Sequence, residues 1–349
     1  MATITSVATA APGYLLRQEE IKAALLRVFS QRSARTGAIK SVFENARVER
    51  RYSVLPLEEL SKPRSLTEST HIYCEHATAL AHKVARDCLD QAGARATDVD
   101  FLITTSCTGI MMPSLDAHLI NGLGFRHSVR RLPITELGCA GGACALSRAH
   151  EFVRAFPGSS ALVVAVELPT LTFQHSDVSP ANIVSSAIFG DGAAAALLTG
   201  DATAGIRILD TGSHLFPNSI DVLGFDLEDS GLHIVLSSHL PKLIRGQMRP
   251  LVEALIAPRG LALGDLSFWV LHPGGSSVLS ALEEEFGLER RATQPSWDVL
   301  RDYGNLSSAS VLFVLHEWMA RRPRPRAATG LMVAFGPGFS SEMLLLQWN

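Results

Sequence analysis

Three residues of this 349-residue chain carry groups that could work together in catalysis, a thiol, an imidazole and a carboxamide: Cys139, His272 and Asn305. Cys139 lies in Thr135-Glu-Leu-Gly-Cys-Ala-Gly-Gly-Ala-Cys-Ala-Leu, where an extended segment gives way to the helical spacing of Leu146, Ala149, His150, Phe152 and Val153. A thiol in the first turn of a helix meets unpaired N–H groups and the positive end of the dipole. Both favour the thiolate, which is the nucleophilic form. The small residues Ala140, Gly141, Gly142 and Ala143 predict a helix that packs deep or lets a substrate approach closely. His272 follows the apolar run Phe268-Trp-Val-Leu and precedes Pro-Gly-Gly, which permits close backbone approach. Asn305 stands in Tyr303-Gly-Asn-Leu-Ser-Ser-Ala-Ser. All three mark places where a strand ends and a helix begins, and α/β proteins build their sites at such ends. Each also has a plain alternative: a buried cysteine acting as a small hydrophobe, a structural histidine, a capping asparagine. A Cys, His, Asn order occurs in cysteine hydrolases, and these residues alone leave the chemistry open.

The elements that must position these residues read as α/β. Strands are expected over residues 2–8, 99–105, 161–167 and 193–198, with helices over 17–29, 69–92, 115–123 and 145–155. Residues 30–68 are polar and mixed, with one strand-like run at 48–55; residues 129–137 read as strand or connector and 170–182 as loop. The pattern restarts near residue 200. Strands follow at 205–212, 230–236, 268–271 and 331–335, with helical stretches at 240–263, 276–286 and 309–321. In each part a strand preceded by Val-Asp or Leu-Ser (Val99-Asp-Phe-Leu-Ile, Leu266-Ser-Phe-Trp-Val) enters a Gly-containing loop and then a helix. Each part later closes on a phenylalanine–glycine turn, Phe189-Gly-Asp-Gly or Phe335-Gly-Pro-Gly. This weak repeat predicts two duplicated βα halves, residues 1–204 and 205–349, with helices layered on sheets around a shared centre.

Composition narrows the partners. A net charge of −3 and the lack of long basic runs argue against nucleic acid; the richest basic stretch, residues 321–326, reads as a surface connector. Five cysteines, without a CxxC pair or a metal-like Cys/His cluster, suit reduced thiols in a cytoplasm. No signal peptide and no apolar stretch long enough for a membrane span is read.

At this point the sequence resembles a known family, the type III polyketide synthases, which are chalcone-synthase-like ketosynthases of the thiolase fold. The resemblance rests on Leu137-Gly-Cys139, Val270-Leu-His272-Pro-Gly-Gly, Gly304-Asn305-Leu-Ser-Ser-Ala-Ser-Val and Phe335-Gly-Pro-Gly338. Thr105-Ser-Cys-Thr-Gly-Ile-Met-Met-Pro113, Phe189-Gly-Asp-Gly and Thr172-Phe173 support it, so it spans roughly residues 100–340. It implies a layered αβαβα core and an acyltransferase in which Cys139 accepts an acyl group from a coenzyme A thioester. His272 would help hold the thiolate and, with Asn305, bind the carbonyl oxygen of malonyl-CoA as carbon dioxide leaves. Phe189 matches a gate between the entry tunnel and the catalytic cavity, and Ile234 replaces the second phenylalanine of plant members. The cavity wall would comprise Cys107, Thr108, Thr172, Phe225 and Ser307, beside the Gly336-Pro337-Gly338 turn. Cys107 in place of threonine resembles bacterial members, and Ala334 departs from the glycine that usually opens the last turn. Met112 matches a residue that reaches into a partner subunit, implying a homodimer. Lys40, Arg47 and Arg50 are the nearby candidates for coenzyme A phosphates, each with solvated surface charge as the plainer alternative. No metal and no cofactor besides the thioester substrates is implied. The resemblance points to an aliphatic or malonyl-derived starter and a pyrone or resorcinol/phloroglucinol-type product. A β-ketoacyl synthase III-like single condensation and a cysteine hydrolase stand as alternatives.

Overall fold

Long runs of apolar residues become strands covered on both faces, and amphipathic stretches become the helices that cover them. The computed structural model describes residues 2–29, 36–200, 202–321 and 327–349. The expected basic connector at 322–326 lies outside the described residues. The first half of the chain forms strands β1 (Thr3–Ala10), β2 (Tyr14–Arg17), β3 (Arg50–Ser53), β4 (Phe101–Thr105), β5 (Arg130–Ile134), β6 (Ser160–Glu167) and β7 (Gly192–Thr199). Its helices are α1 (Gln18–Phe29), α2 (Thr36–Asn45), α3 (Leu57–Leu60), α4 (Leu66–Ala92), α5 (Leu115–Leu123), α6 (Gly141–Ala155) and α7 (Pro180–Ile188). The second half adds β8 (Ile206–Leu215), β9 (Leu223–Glu228), β10 (Gly231–Leu236), β11 (Leu266–Leu271), β12 (Thr329–Gly336) and β13 (Ser340–Trp348). With these go α8 (Leu240–Ile244), α9 (Met248–Ile256), α10 (Ser276–Phe286), α11 (Arg290–Tyr303) and α12 (Ser310–Ala320).

The described residues form a nine-stranded sheet in the order β11-β12-β13-β8-β1-β7-β6-β4-β5. Its two parts repeat one another. Strand β4 is parallel to β6, β6 antiparallel to β7, and β7 antiparallel to β1. In the same sequence, β11 is parallel to β12, β12 antiparallel to β13, and β13 antiparallel to β8. The parts join where β1 meets β8 at Thr3↔Arg207 and Ile4↔Ile206. Helices α6 and α12 touch each other and strands of both parts, so they form the central layer. Helices α4 and α5 cover one outer face, and α9 and α11 pack on strands of the other part. This is the expected αβαβα layering. The expected duplication appears as repeated strand order and direction.

Some elements differ from expectation for local reasons. Helix α4 starts at Leu66 rather than at residue 69 because Ser65 caps it. The Ser65 hydroxyl accepts from the Glu68 N–H at 3.2 Å, and the Glu68 carboxylate accepts from the Ser65 N–H at 2.8 Å. Helix α2 occupies part of the stretch read as polar and mixed; its buried Ile39 and Phe43, with Val42 beside them, are an i, i+3, i+4 set diluted by polar neighbours. Residues 240–263 divide into two short helices and a 3₁₀ turn, broken at Gly246 with φ +78°. Helix α11 went unread because Pro295 sits inside it.

Helix α6 carries an unusual buried group. His150 is 1% exposed, and neither ring nitrogen has a hydrogen-bond partner among the described residues. Burial, aided by Arg154, pushes its pKa down to about 4. An unfolded chain protonates histidine near about pH 6.5. Below that pH the unfolded state therefore binds a proton the folded state refuses, and stability falls as pH drops toward 4. His272, pushed down to about 3 by burial, acts with the same sign. His150→Leu should lose less stability than the parent between pH 7 and pH 5, by about 2 kcal/mol, in urea titrations at the two pH values. Equal losses in both proteins would refute this account of His150.

Candidate active site

Two 3₁₀ turns that run into the central helices face each other. Gly138–Ala140 precedes α6 and carries Cys139; Ser307–Ala309 precedes α12 and follows Asn305. Cys139 thus lies one short turn ahead of α6 rather than within its first turn. The small residues expected around it are what lets the turns meet. A methyl group on Gly142 would sit 2.1 Å from the Ser308 carbonyl oxygen, and one on Gly141 would sit 2.3 Å from the Thr105 hydroxyl. Gly138 has φ +50°, and a methyl there would meet the Pro337 ring at 2.6 Å. Gly336 in turn lies under the Leu137 carbonyl, 2.4 Å from where its Cβ would be. Gly336 and Pro337 therefore buttress the cysteine turn, while Gly338, with φ +113°, faces Leu215.

Cys139, His272, Asn305 and Phe189 converge on one cavity of about 450 Å³. Gly274, Gly275, Val184, Ile188, Leu223, Leu236 and Phe335 complete its inner wall. The Asn305 carboxamide is fixed by its oxygen, which accepts from the Ser307 N–H at 2.8 Å and the Ser310 hydroxyl at 3.2 Å. That network leaves the amide nitrogen as the end that donates, here to the Gly274 carbonyl at 3.3 Å. The His272 backbone N–H donates to the Val333 carbonyl at 2.9 Å, whereas its ring Nδ1 is buried with no hydrogen-bond partner among the described residues. Ser307, in a left-handed conformation at φ 48°, turns its hydroxyl to the Cys139 thiol at 3.4 Å and the Cys107 thiol at 3.3 Å. A non-glycine residue held there marks a turn that its surroundings over-determine.

Burial governs the charges. It pushes the Cys139 thiol up to about 12, against the hydrogen bonds from Ser307 and Asn305 that favour the thiolate. It pushes His272 down to about 3. The lowered thiol pKa expected from the helix start is thus overridden by desolvation, so neither charge is stable alone in the empty cavity. A proton passed from Cys139 to His272 creates both charges at once, and their attraction offsets part of the desolvation each would otherwise face. Removing the imidazole leaves burial unopposed. His272→Gln should slow alkylation of Cys139 by iodoacetamide at pH 7 by at least about tenfold, with a rate that keeps rising through pH 10. An unchanged rate and pH profile would show that the thiolate forms without His272.

The other candidate residues fall into four places. Cys107 and Thr108 stand behind Cys139 around Glu167, a fully buried carboxylate that accepts from the Cys107 N–H at 3.1 Å, the Thr108 hydroxyl at 2.8 Å and the Ser308 hydroxyl. Burial raises the Glu167 pKa above the usual carboxylate range. Thr172 donates to the Pro169 carbonyl at 2.9 Å and lines a compartment on the far side of Phe189. Phe225 and Ile234 face each other across the β9–β10 ribbon. They lie outside the lining of the Cys139 cavity, to which that ribbon contributes Leu223 and Leu236. Met112 is 95% exposed, away from this chain's own cavity.

Two of the coenzyme A candidates, Arg47 and Arg50, are engaged away from the mouth. Arg50 pairs with Asp302 at 3.2 Å, and Arg47 turns away at φ 58° into another groove with Arg17, Arg290 and Arg301. Lys40 is exposed on α2. The mouth is lined instead by Ser41, Val42, Asn45 and Ala46 of α2, on one helical face, opposite Ser237, Ser238 and Pro241. Sequence reading missed these residues because α2 was missed. It missed Glu167 although a lone acid closing an apolar strand is a signal.

Comparison with known proteins agrees with this geometry. Residues 1–202 match the N-terminal domain of chalcone and stilbene synthases, and residues 208–348 match the C-terminal domain. The chain is 36% identical to a 1,3,6,8-tetrahydroxynaphthalene synthase of Streptomyces peucetius subsp. caesius, over 99% of this chain and 93% of that protein. It is 34% identical to a phloroglucinol synthase of Pseudomonas fluorescens, over 90% of each. The crystal structure of 1,3,6,8-tetrahydroxynaphthalene synthase from Streptomyces coelicolor A3(2), a bacterial type III polyketide synthase, superposes with a TM-score of 0.96 at 33% identity, covering 99% of each chain. Matches to both domains that together span nearly the whole chain, with a cysteine, a histidine and an asparagine on one cavity, make this chain a member of the chalcone and stilbene synthase family and a type III polyketide synthase.

Proposed function

We propose that the protein loads an acyl group from a coenzyme A thioester onto Cys139 and extends it with malonyl-CoA by decarboxylative Claisen condensation. The observation that carries this reading is the convergence of a thiol, an imidazole and a carboxamide on one largely apolar cavity. In the loading step the Cys139 thiolate attacks the acyl carbonyl, the carbon–sulfur bond to coenzyme A breaks, and the coenzyme A thiolate leaves. In the extension step malonyl-CoA loses carbon dioxide, and the electron pair of the broken bond becomes an enolate. The enolate oxygen sits between the donors of His272 and Asn305, where charge develops and fixed dipoles act without reorganisation. Its carbon attacks the acyl-Cys139 carbonyl, and the Cys139 thiolate is released as the chain grows by two carbons. Phe189 orients the malonyl thioester at the rim of the cavity.

An aliphatic or malonyl-derived starter and a pyrone or resorcinol/phloroglucinol-type product complete the proposal. Relatives named as tetrahydroxynaphthalene, phloroglucinol and α-pyrone synthases support that product range. The working form is a homodimer acting in the cytoplasm, with exposed Met112 reaching the partner subunit. Among the described residues no helix is long and apolar enough to cross a membrane.

Carboxyl-labelled malonyl-CoA supplied with a panel of acyl-CoAs tests the whole scheme. The wild type should release labelled carbon dioxide and yield products heavier than the starter by multiples of the extender. Cys139→Ala should abolish product, and Asn305→Ala should cut extension by about 100-fold or more while an acyl group still loads on Cys139. Thioester cleavage without carbon dioxide release would replace this reading with hydrolysis, and a single extension would point to a ketoacyl-synthase-like reaction.

A further inference from the structure

Arg51 is the largest charged side chain in the core, 2% exposed and in β3, far in sequence from the catalytic turns. Its guanidinium closes the C-terminal end of α7. One terminal nitrogen donates to the Ser186 carbonyl at 2.8 Å and to the Phe189 carbonyl at 2.9 Å; the other donates to the Ala187 carbonyl at 2.7 Å and to the Gln18 side-chain oxygen. Gln18 repeats the motif, donating its own amide to Ala187 at 2.9 Å. The last carbonyls of a helix carry the negative end of its dipole, so a planar cation with several donors is matched to them in charge and in shape. Asp191, two residues past Phe189, holds the other side of the turn by accepting from the Val54 N–H and the Thr170 N–H, each at 2.9 Å.

The turn that Arg51 clamps is hydrogen-bonded directly to the proposed oxyanion residue. The Asn305 N–H donates to the Ile188 carbonyl at 2.7 Å, and the Gly190 N–H donates to the Asn305 carbonyl at 3.1 Å. There is no slack between these strands of backbone. A methyl on Gly190 would meet the Tyr303 carbonyl at 2.4 Å, and one on Gly304 would meet the Ile188 carbonyl at 2.3 Å. Phe189 lies on this turn and lines both the Cys139 cavity and the apolar compartment behind it, whose wall also includes Arg51.

We propose that Arg51 is a positioning residue for the extension step: by fixing the last carbonyls of α7 it sets the placement of the Phe189 ring. This rests on the reading of Phe189 as the residue that orients the malonyl thioester. Loading of Cys139 does not need that placement, because the cysteine turn is seated by Gly336, Pro337 and the face of α12. Extension does.

The test separates the two steps. Acyl loading is read as the mass of the Cys139 adduct after brief exposure to an acyl-CoA. Extension is read as labelled carbon dioxide and product. Arg51→Met should cut extension at least about tenfold, as expected for removing charge-assisted hydrogen bonds, with loading within about twofold of wild type. Arg51→Lys keeps the charge but loses the fork, and should recover part of the extension rate. Gln18→Leu, a milder change to the same clamp, should act in the same direction and keeps the test decisive if Arg51→Met does not fold. In a Phe189→Ala background the effect of Arg51→Lys or Gln18→Leu on extension should largely vanish. Equal loss of loading and extension, or effects that multiply with Phe189→Ala, would overturn the proposal. A wild-type protein that releases no carbon dioxide from malonyl-CoA would overturn the proposed function instead.

Discussion

One very close backbone approach among the described residues holds the two halves of the site together. The backbone at Gly142 passes so near the Ser308 carbonyl that a single methyl would leave 2.1 Å between them. That approach lets the start of α6 lie against the start of α12, and it sets the Cys139 sulfur 3.4 Å from the Ser307 hydroxyl. Every other contact in the site inherits its spacing from it. Ser307 fixes the Asn305 oxygen, the Asn305 backbone holds the Phe189 turn, and the cavity closes around the thiol. Glycine is required there because there is no room for a side chain, whatever the conformational preference of the backbone.

Burial then decides the electrostatics. A cavity lined by Val184, Ile188, Leu223, Leu236 and Phe335 excludes water from a thiol and an imidazole that each resist ionisation alone. The same exclusion strengthens each fixed dipole that faces a developing charge. The buried Glu167 and its hydroxyl neighbours stiffen the back wall, so that polarity can develop without movement of the frame.

Much of this was legible in the residues and some was not, for physical reasons. The buried strands were read from unbroken apolar runs such as ALVVAVE. The repeat was read from motif order at Phe189-Gly-Asp-Gly and Phe335-Gly-Pro-Gly, and the small-residue run at 140–143 announced close packing. Helix α2 stayed hidden because its three apolar positions are diluted by polar neighbours, and with it went the mouth residues Ser41 and Asn45. Arg51 stayed hidden because one arginine beside another in Arg50-Arg51 gives no sign of which is buried. The thiol pKa was misjudged because a local rule about helix starts cannot weigh desolvation, which depends on residues from the whole chain.

The two phenylalanine–glycine turns are exchanged between the repeated parts of the fold. The turn that follows α7 clasps Asn305, in the second part, while the turn that follows β12 seats Gly138 and Cys139, in the first. Each of these turns is therefore seated in part by the other repeat. During synthesis the segment carrying Cys139 emerges nearly two hundred residues ahead of the Phe335–Gly338 turn that supports it. A nascent chain thus holds the Cys139 turn without this support until the Phe335–Gly338 segment has been made.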